Sequence, residues 1–273
     1  MTKPDFPEKG FLGDEIREWA RQNRQRYEEL FAIADRINEF AYRIVQEFRT
    51  DPRNNQDTVT ACLFFVAHRN YQAAVILCRM GLLGEAYVML RPLVEACILH
   101  RNSYREPDFV KAYVCADETR KLKLINVAHR SPSDSLKSLR EDDEAHGLAE
   151  KLRKDIEKFG LEDLPNIGNL ECLAQRVDLE GIYNTAYRQL CNYTHHGVRT
   201  LQDEFLVLDK KEQLVGYNLL PRDDTIHQAM YTATDIFLIV LQDASDYFGL
   251  EKKKDIQALG QELYDLAERQ KSG

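Results

Sequence analysis

The stretch Ala61-Cys62-Leu63-Phe64-Phe65-Val66-Ala67 has no charge, no glycine and no proline, and it is apolar at every azimuth of a helix. A helix that is apolar all round is a buried one. This run predicts a central helix of an all-α fold, from about Asp57 to Met80. Upstream, Tyr27, Leu30, Ile33, Ile37, Phe40 and Ile44 recur at three- and four-residue steps, which predicts a long amphipathic helix over about 13–49. Ile16 and Trp19 extend its face, and Asp51-Pro52 with Asn54-Asn55 ends it.

Downstream, Gly81 and Gly84 bracket a turn. A third helix is expected over about 84–104, kinked or restarted at Pro92, which removes a backbone donor. A fourth is expected to start at Pro107 and run to about Val127. After a loop at Ser131–Asp134, residues 136–159 read as a charged helix with a solvated face. Residues 164–168 read as a connection, and a helix over 182–196 is stopped by Gly197. Phe205–Asp209 and Leu214–Leu219 flank Lys210–Gln213, the best hairpin signal in the chain. Helices over about 224–247 and 253–269 follow. The expectation is one domain over 1–273: a bundle of about seven to eight helices, a loose arm at 1–11 and a β-hairpin insertion at 204–220. The third and fourth helices and those at 182–196 and 224–247 are expected to form the core.

Composition narrows the function classes. With 37 Lys+Arg against 45 Asp+Glu the net charge is −8, which argues against coating nucleic acid through bulk charge but leaves room for a local site. Glycine and proline are sparse, at 13 and 8, which excludes collagen-like and low-complexity readings. No apolar signal core follows the first residues, and the apolar runs near 61–67 and 236–241 read as too short to span a bilayer. Six scattered cysteines without a C-x-x-C pair read as buried free thiols in a reducing cytoplasm. The expected location is therefore cytoplasmic, with no membrane partner.

Two stretches carry the polar chemistry. In Leu90-Arg91-Pro92-Leu93-Val94-Glu95, Arg91 and Glu95 are four apart on one helical face of an otherwise apolar segment, where charges need partners. In Tyr187-Arg188-Gln189-Leu190-Cys191-Asn192-Tyr193-Thr194-His195-His196-Gly197, a helical period places Arg188, Asn192 and His195 on one stripe. An imidazole, an arginine and an amide suit phosphodiester cleavage: His195 moves a proton, arginine neutralises developing charge, and Asn192 orients substrate. Tyr187 and Tyr193 could stack on bases, with His196 beside them. The same residues could equally form a structural polar network.

Other chemistries have weaker patterns. Asp143-x-x-His146 and Asp224-x-x-His227 carry Asp where a di-iron bundle wants Glu, so no metal and no cofactor is expected. Nucleophile elbows, P-loops and dinucleotide fingerprints are absent from the sequence. The basic runs at 17–26 and 120–130 are interleaved with acids and read as solvated surface.

The Arg188-to-His195 spacing resembles the R-x4-6-H motif of HEPN domains, although Gln189 stands where those ribonucleases usually carry Asn, Asp or His. The pair Arg91-Pro92-Leu93-Val94-Glu95 and Asn192-Tyr193-Thr194-His195-His196-Gly197 is also similar to uncharacterised bacterial helical families with an R-x-L-x-E helix and an N-Y-x-H-x-G helix end, over about 60–245. The HEPN resemblance implies a homodimeric helical bundle acting as a metal-independent ribonuclease, in some relatives a toxin or phage-defence effector. It assigns His195 as acid/base, Arg188 and Arg91 to the phosphate, and Glu95 and Asn192 to positioning. The competing expectation is a non-catalytic helical module that binds a protein or small-ligand partner.

Overall fold

A computed structural model describes residues 9–106, 108–140, 143–158 and 167–272. Among these, eleven helices have seven residues or more, against the seven to eight expected. They are α1 (Glu15–Arg26), α2 (Glu28–Val45), α3 (Asn55–Met80), α4 (Leu83–Arg105), α5 (Phe109–Arg130), α6 (Asp143–Lys158), α7 (Leu170–Arg176), α8 (Arg188–Thr194), α9 (Val198–Phe205), α10 (Ile226–Tyr247) and α11 (Lys253–Ser272).

The count rises for local reasons. The helix expected over 13–49 breaks at Tyr27, whose φ of −115° and ψ of 37° leave the helical region. The break lets the Tyr27 hydroxyl reach the carbonyl of Asp223. Two short helices, α7 and α9, were not foreseen, because seven or eight residues give periodicity too little length. Most of the expected arm at 1–11 and the Pro107 start lie outside the described residues. Gly10–Leu12 forms a single 3-10 turn.

The centre is made by α3, α4 and α10, packed mutually. The fourth helix of the sequence reading, α5, is instead peripheral, and the apolar run of α3 takes its place. Phe64, Tyr71 and Phe237 are fully buried there, and the Tyr71 and Phe237 rings stack at 4.5 Å. Asn54 caps α3 by accepting from the Gln56 N–H at 3.0 Å, which satisfies a donor the first turn cannot. Helix α4 runs straight through Pro92, so it does not restart there. Helices α2 and α11 cover α10, while α7 and α8 lean on α4. Ile125 of α5 with Ala149 and Leu152 of α6 forms a second, small apolar cluster.

Helix α3 is long and apolar enough to cross a membrane, with mean hydropathy 1.2 over its best window; the sequence reading had judged its apolar run too short. Half of that window is buried inside the bundle, as befits a central helix. The cysteines are not uniformly buried either: Cys78, Cys97 and Cys115 are, Cys62 and Cys172 are exposed, and Cys191 is half-buried. The exposed ones fall on outward faces of their helices.

The hairpin stands where the sequence put it. β1 (Leu206–Leu208) and β2 (Leu214–Tyr217) pair antiparallel, with Leu206 opposite Tyr217. Asp209 orders the connecting loop by accepting from the N–H groups of Lys211 and Gln213 at 2.8 and 2.9 Å.

Candidate functional site

The site is built where α8 lies against α4. Before α8 begins, Tyr183–Tyr187 forms one π turn, with wider i→i+5 spacing than an α turn. Such turns frequently mark functional sites. It stacks the rings of Tyr183 and Tyr187 at 5.0 Å and brings the Tyr187 hydroxyl to α4.

There Arg91 is held on three sides. Its Nε donates to Glu95 Oε1 at 3.1 Å, and one terminal nitrogen donates to the Tyr187 hydroxyl at 3.3 Å. The other lies 3.3 Å from Nε2 of His195. The Tyr187 hydroxyl donates in turn to Glu95 Oε1 at 3.0 Å. A guanidinium has no acceptor, so the contact with His195 requires an unprotonated Nε2, with the ring proton on Nδ1. The Tyr187 hydroxyl pKa is pushed up to about 12, first by burial and then by the neighbouring Glu95 carboxylate, with Arg91 opposing. Partial burial works against the charge of Arg91, but Tyr187 and Glu95 outweigh it and raise its pKa. The cation is therefore permanent, and one flank faces an exposed imidazole.

The helix end fixes that imidazole. The His195 N–H closes on Cys191 O at 3.0 Å and the Gly197 N–H on Asn192 O at 2.9 Å. Between them His196 takes a left-handed φ of 51°. The chain thus reverses after α8, and His195 and His196 stand on a turn at the molecular surface.

The candidate residues fall into groups. Arg91, Glu95, Tyr187 and His195 come together. Arg188 does not join them: it bonds Glu171 at 3.1 Å and lies over the Tyr183 ring. The helical stripe of the sequence reading fails here because His195 sits past the last helical residue, with φ −100° and ψ 12°. Asn192 is exposed, as is His196. Tyr193 is not a free stacking surface, since its ring packs on Tyr87 at 4.4 Å. Glu171, the partner of Arg188, lies on the unforeseen helix α7 and had no sequence signal. Also missed was a buried network in which Arg101 makes two bonds to Asp243, at 2.8 and 3.0 Å, and the Tyr104 hydroxyl donates to the same carboxylate at 3.0 Å.

The alternative chemistries are placed too. Among the described residues no three His, Cys, Asp or Glu side chains gather as a metal site would need. Asp224 pairs with Arg222, and the His227 ring packs edge-on to Tyr27 at 5.0 Å; the side chains of the Asp143–His146 pattern lie outside the described residues. The basic runs are largely paired, Arg21 with Glu18, Arg24 with Asp35, and Lys121 with Asp117 and Glu118.

A family of unknown function, DUF5677, matches residues 57–213. The chain belongs to this family. The matched span runs from α3 through the turn at His195 into the hairpin, so it contains both halves of the site. No curated protein and no solved structure matches the chain.

Proposed function

We propose that this member of the family is a metal-independent ribonuclease of HEPN type, acting as a homodimer. The observation that carries the reading is the contact of the surface-exposed His195 Nε2 with Arg91, whose guanidinium is locked by Glu95 and Tyr187. An unprotonated Nε2 can accept the proton of a ribose 2′-hydroxyl as its oxygen attacks phosphorus. The 5′-oxygen leaves with a proton from His196 or water, and a 2′,3′-cyclic phosphate remains. Arg91 neutralises charge on the phosphoryl oxygens, held in place so that no reorganisation is needed at the transition state. Arg188, exposed and one helix away, holds a flanking phosphate, and Asn192 orients the strand. Such an activity suits a toxin or phage-defence effector.

The test uses purified protein, mixed RNA and chelator. His195→Ala and Arg91→Ala should each lower cleavage by 100-fold or more, within the usual ~10²–10⁴ contribution of such groups, with thermal midpoints unchanged. Cleavage that survives His195→Ala, or that stops with chelator, sinks the reading. A non-catalytic interaction module is favoured by one observation: Glu95 Oε1 already serves both Arg91 and Tyr187, so the network is satisfied without a ligand. On that reading both variants lose stability, and RNA stays intact in every sample.

A further inference from the structure

Half of the exposed large apolar side chains among the described residues, ten of twenty, lie between 198 and 220. The most open are Val198 at 75%, Leu219 at 73%, Tyr217 at 70% and Val215 at 62%. They belong to α9 and the hairpin, which follow directly on the His195–Gly197 turn. Monomeric surfaces rarely leave such apolar groups contiguous over more than a few hundred Å². Ten side chains open to this degree present on the order of 1,000 Å², comparable with the ~800 Å² that one partner brings to a standard interface.

The backbone points the same way. The sheet has only two strands, and a lone two-stranded ribbon is marginal in water. Each strand has an open outer edge, and neither carries the lysine or proline that usually guards one. Residues 205–208 and 213–220 contain no charge at all. A nucleic acid would need cations there. A second acidic copy of this chain, at net charge −8, could approach only through a charge-free surface of this kind.

We infer that α9 and the hairpin form the homodimer interface: one copy covers the same elements of another across a two-fold axis, and each ribbon gains the neighbour it lacks. The inference names a surface for the dimer assumed in the ribonuclease reading, but it rests on exposure, edges and charge and stands without that reading. An isologous contact repeats every interaction twice, so single changes act doubly.

The experiment is sedimentation of the full chain at tens of micromolar. The wild type should run at twice its 31.7 kDa, and Val215→Lys with Tyr217→Lys should run as a monomer with helical circular dichroism and melting unchanged. If the double variant unfolds, a second measurement decides. Val215→Cys, with Cys62 and Cys172 replaced by serine, should form a covalent dimer on oxidation. A monomeric wild type overturns the inference. So does a dimer that survives the lysine pair but dissociates on Phe65→Lys with Ile76→Lys, on the outward face of α3. A dimer inert toward RNA would sink the ribonuclease reading alone.

Discussion

His100 is fully buried beside Phe64, and neither ring nitrogen has a hydrogen-bond partner among the described residues. Burial, with Arg101 adding repulsion, drives its pKa down to about 3, whereas an unfolded histidine titrates near ~6.5. The unfolded chain therefore binds a proton that the folded one refuses. The folded pKa is depressed, so this contribution to stability is intact above pH ~6.5 and is lost as pH falls toward 3. The slope for one such group is about 1.4 kcal/mol per pH unit. His100→Phe should flatten it, as denaturant titrations at pH 7 and 5 would reveal; an unchanged slope refutes the assignment. The Arg101–Asp243 pair gives a second expectation. Asp243→Ala strands a mostly buried guanidinium and should cost about 3–5 kcal/mol in denaturant unfolding, whereas Tyr104→Phe removes one hydrogen bond and should cost about 1 kcal/mol. Both networks were hard to read in the sequence. Arg101 and Asp243 lie 142 residues apart, and nothing local says that two charges will meet. Arg91 and Glu95 were legible because helical periodicity pairs them, and their partner Tyr187 was noticed for the wrong chemistry.

At the scale of the element, Gly81 ends α3 with φ 72°. A Cβ there would also meet the Trp19 indole nitrogen, Arg222 O at 2.8 Å and Pro221 Cβ at 2.9 Å. A left-handed alanine costs about 1–2 kcal/mol by itself, and the surrounding atoms are backbone or packed rings. Gly81→Ala should therefore lower stability by about 2–4 kcal/mol, read from the thermal midpoint, and a neutral result would mean that the α3–α4 corner can relax. The long helices were legible because each keeps one apolar face for many turns. The hairpin was legible from its alternation and loop chemistry. The break at Tyr27 was not, since it depends on a partner at Asp223, and neither were α7 and α9, which owe their form to what they pack on.

For the whole molecule, the −8 charge bounds how RNA could be held. If only Arg91 and Arg188 meet phosphates, log affinity should fall with log salt at a slope of about −1.4, from ~0.7 per contact on single strands. A slope several times steeper would place the strand elsewhere on the protein. The fold's layout was legible in outline from the run at 61–67, but which surfaces stay uncovered depends on side chains brought together from the whole chain. One feature ties these scales together. The π turn at Tyr183–Tyr187 acts as an indexing notch. Deleting one of its residues would return the segment to regular winding and rotate everything after it by about 100°. His195 would then swing off Arg91 while the bundle beneath stayed whole. A single deletion at Asn184 should thus uncouple the two halves of the site without melting the protein, which makes the angular phase of α8, rather than the identity of any side chain on it, the quantity this turn sets.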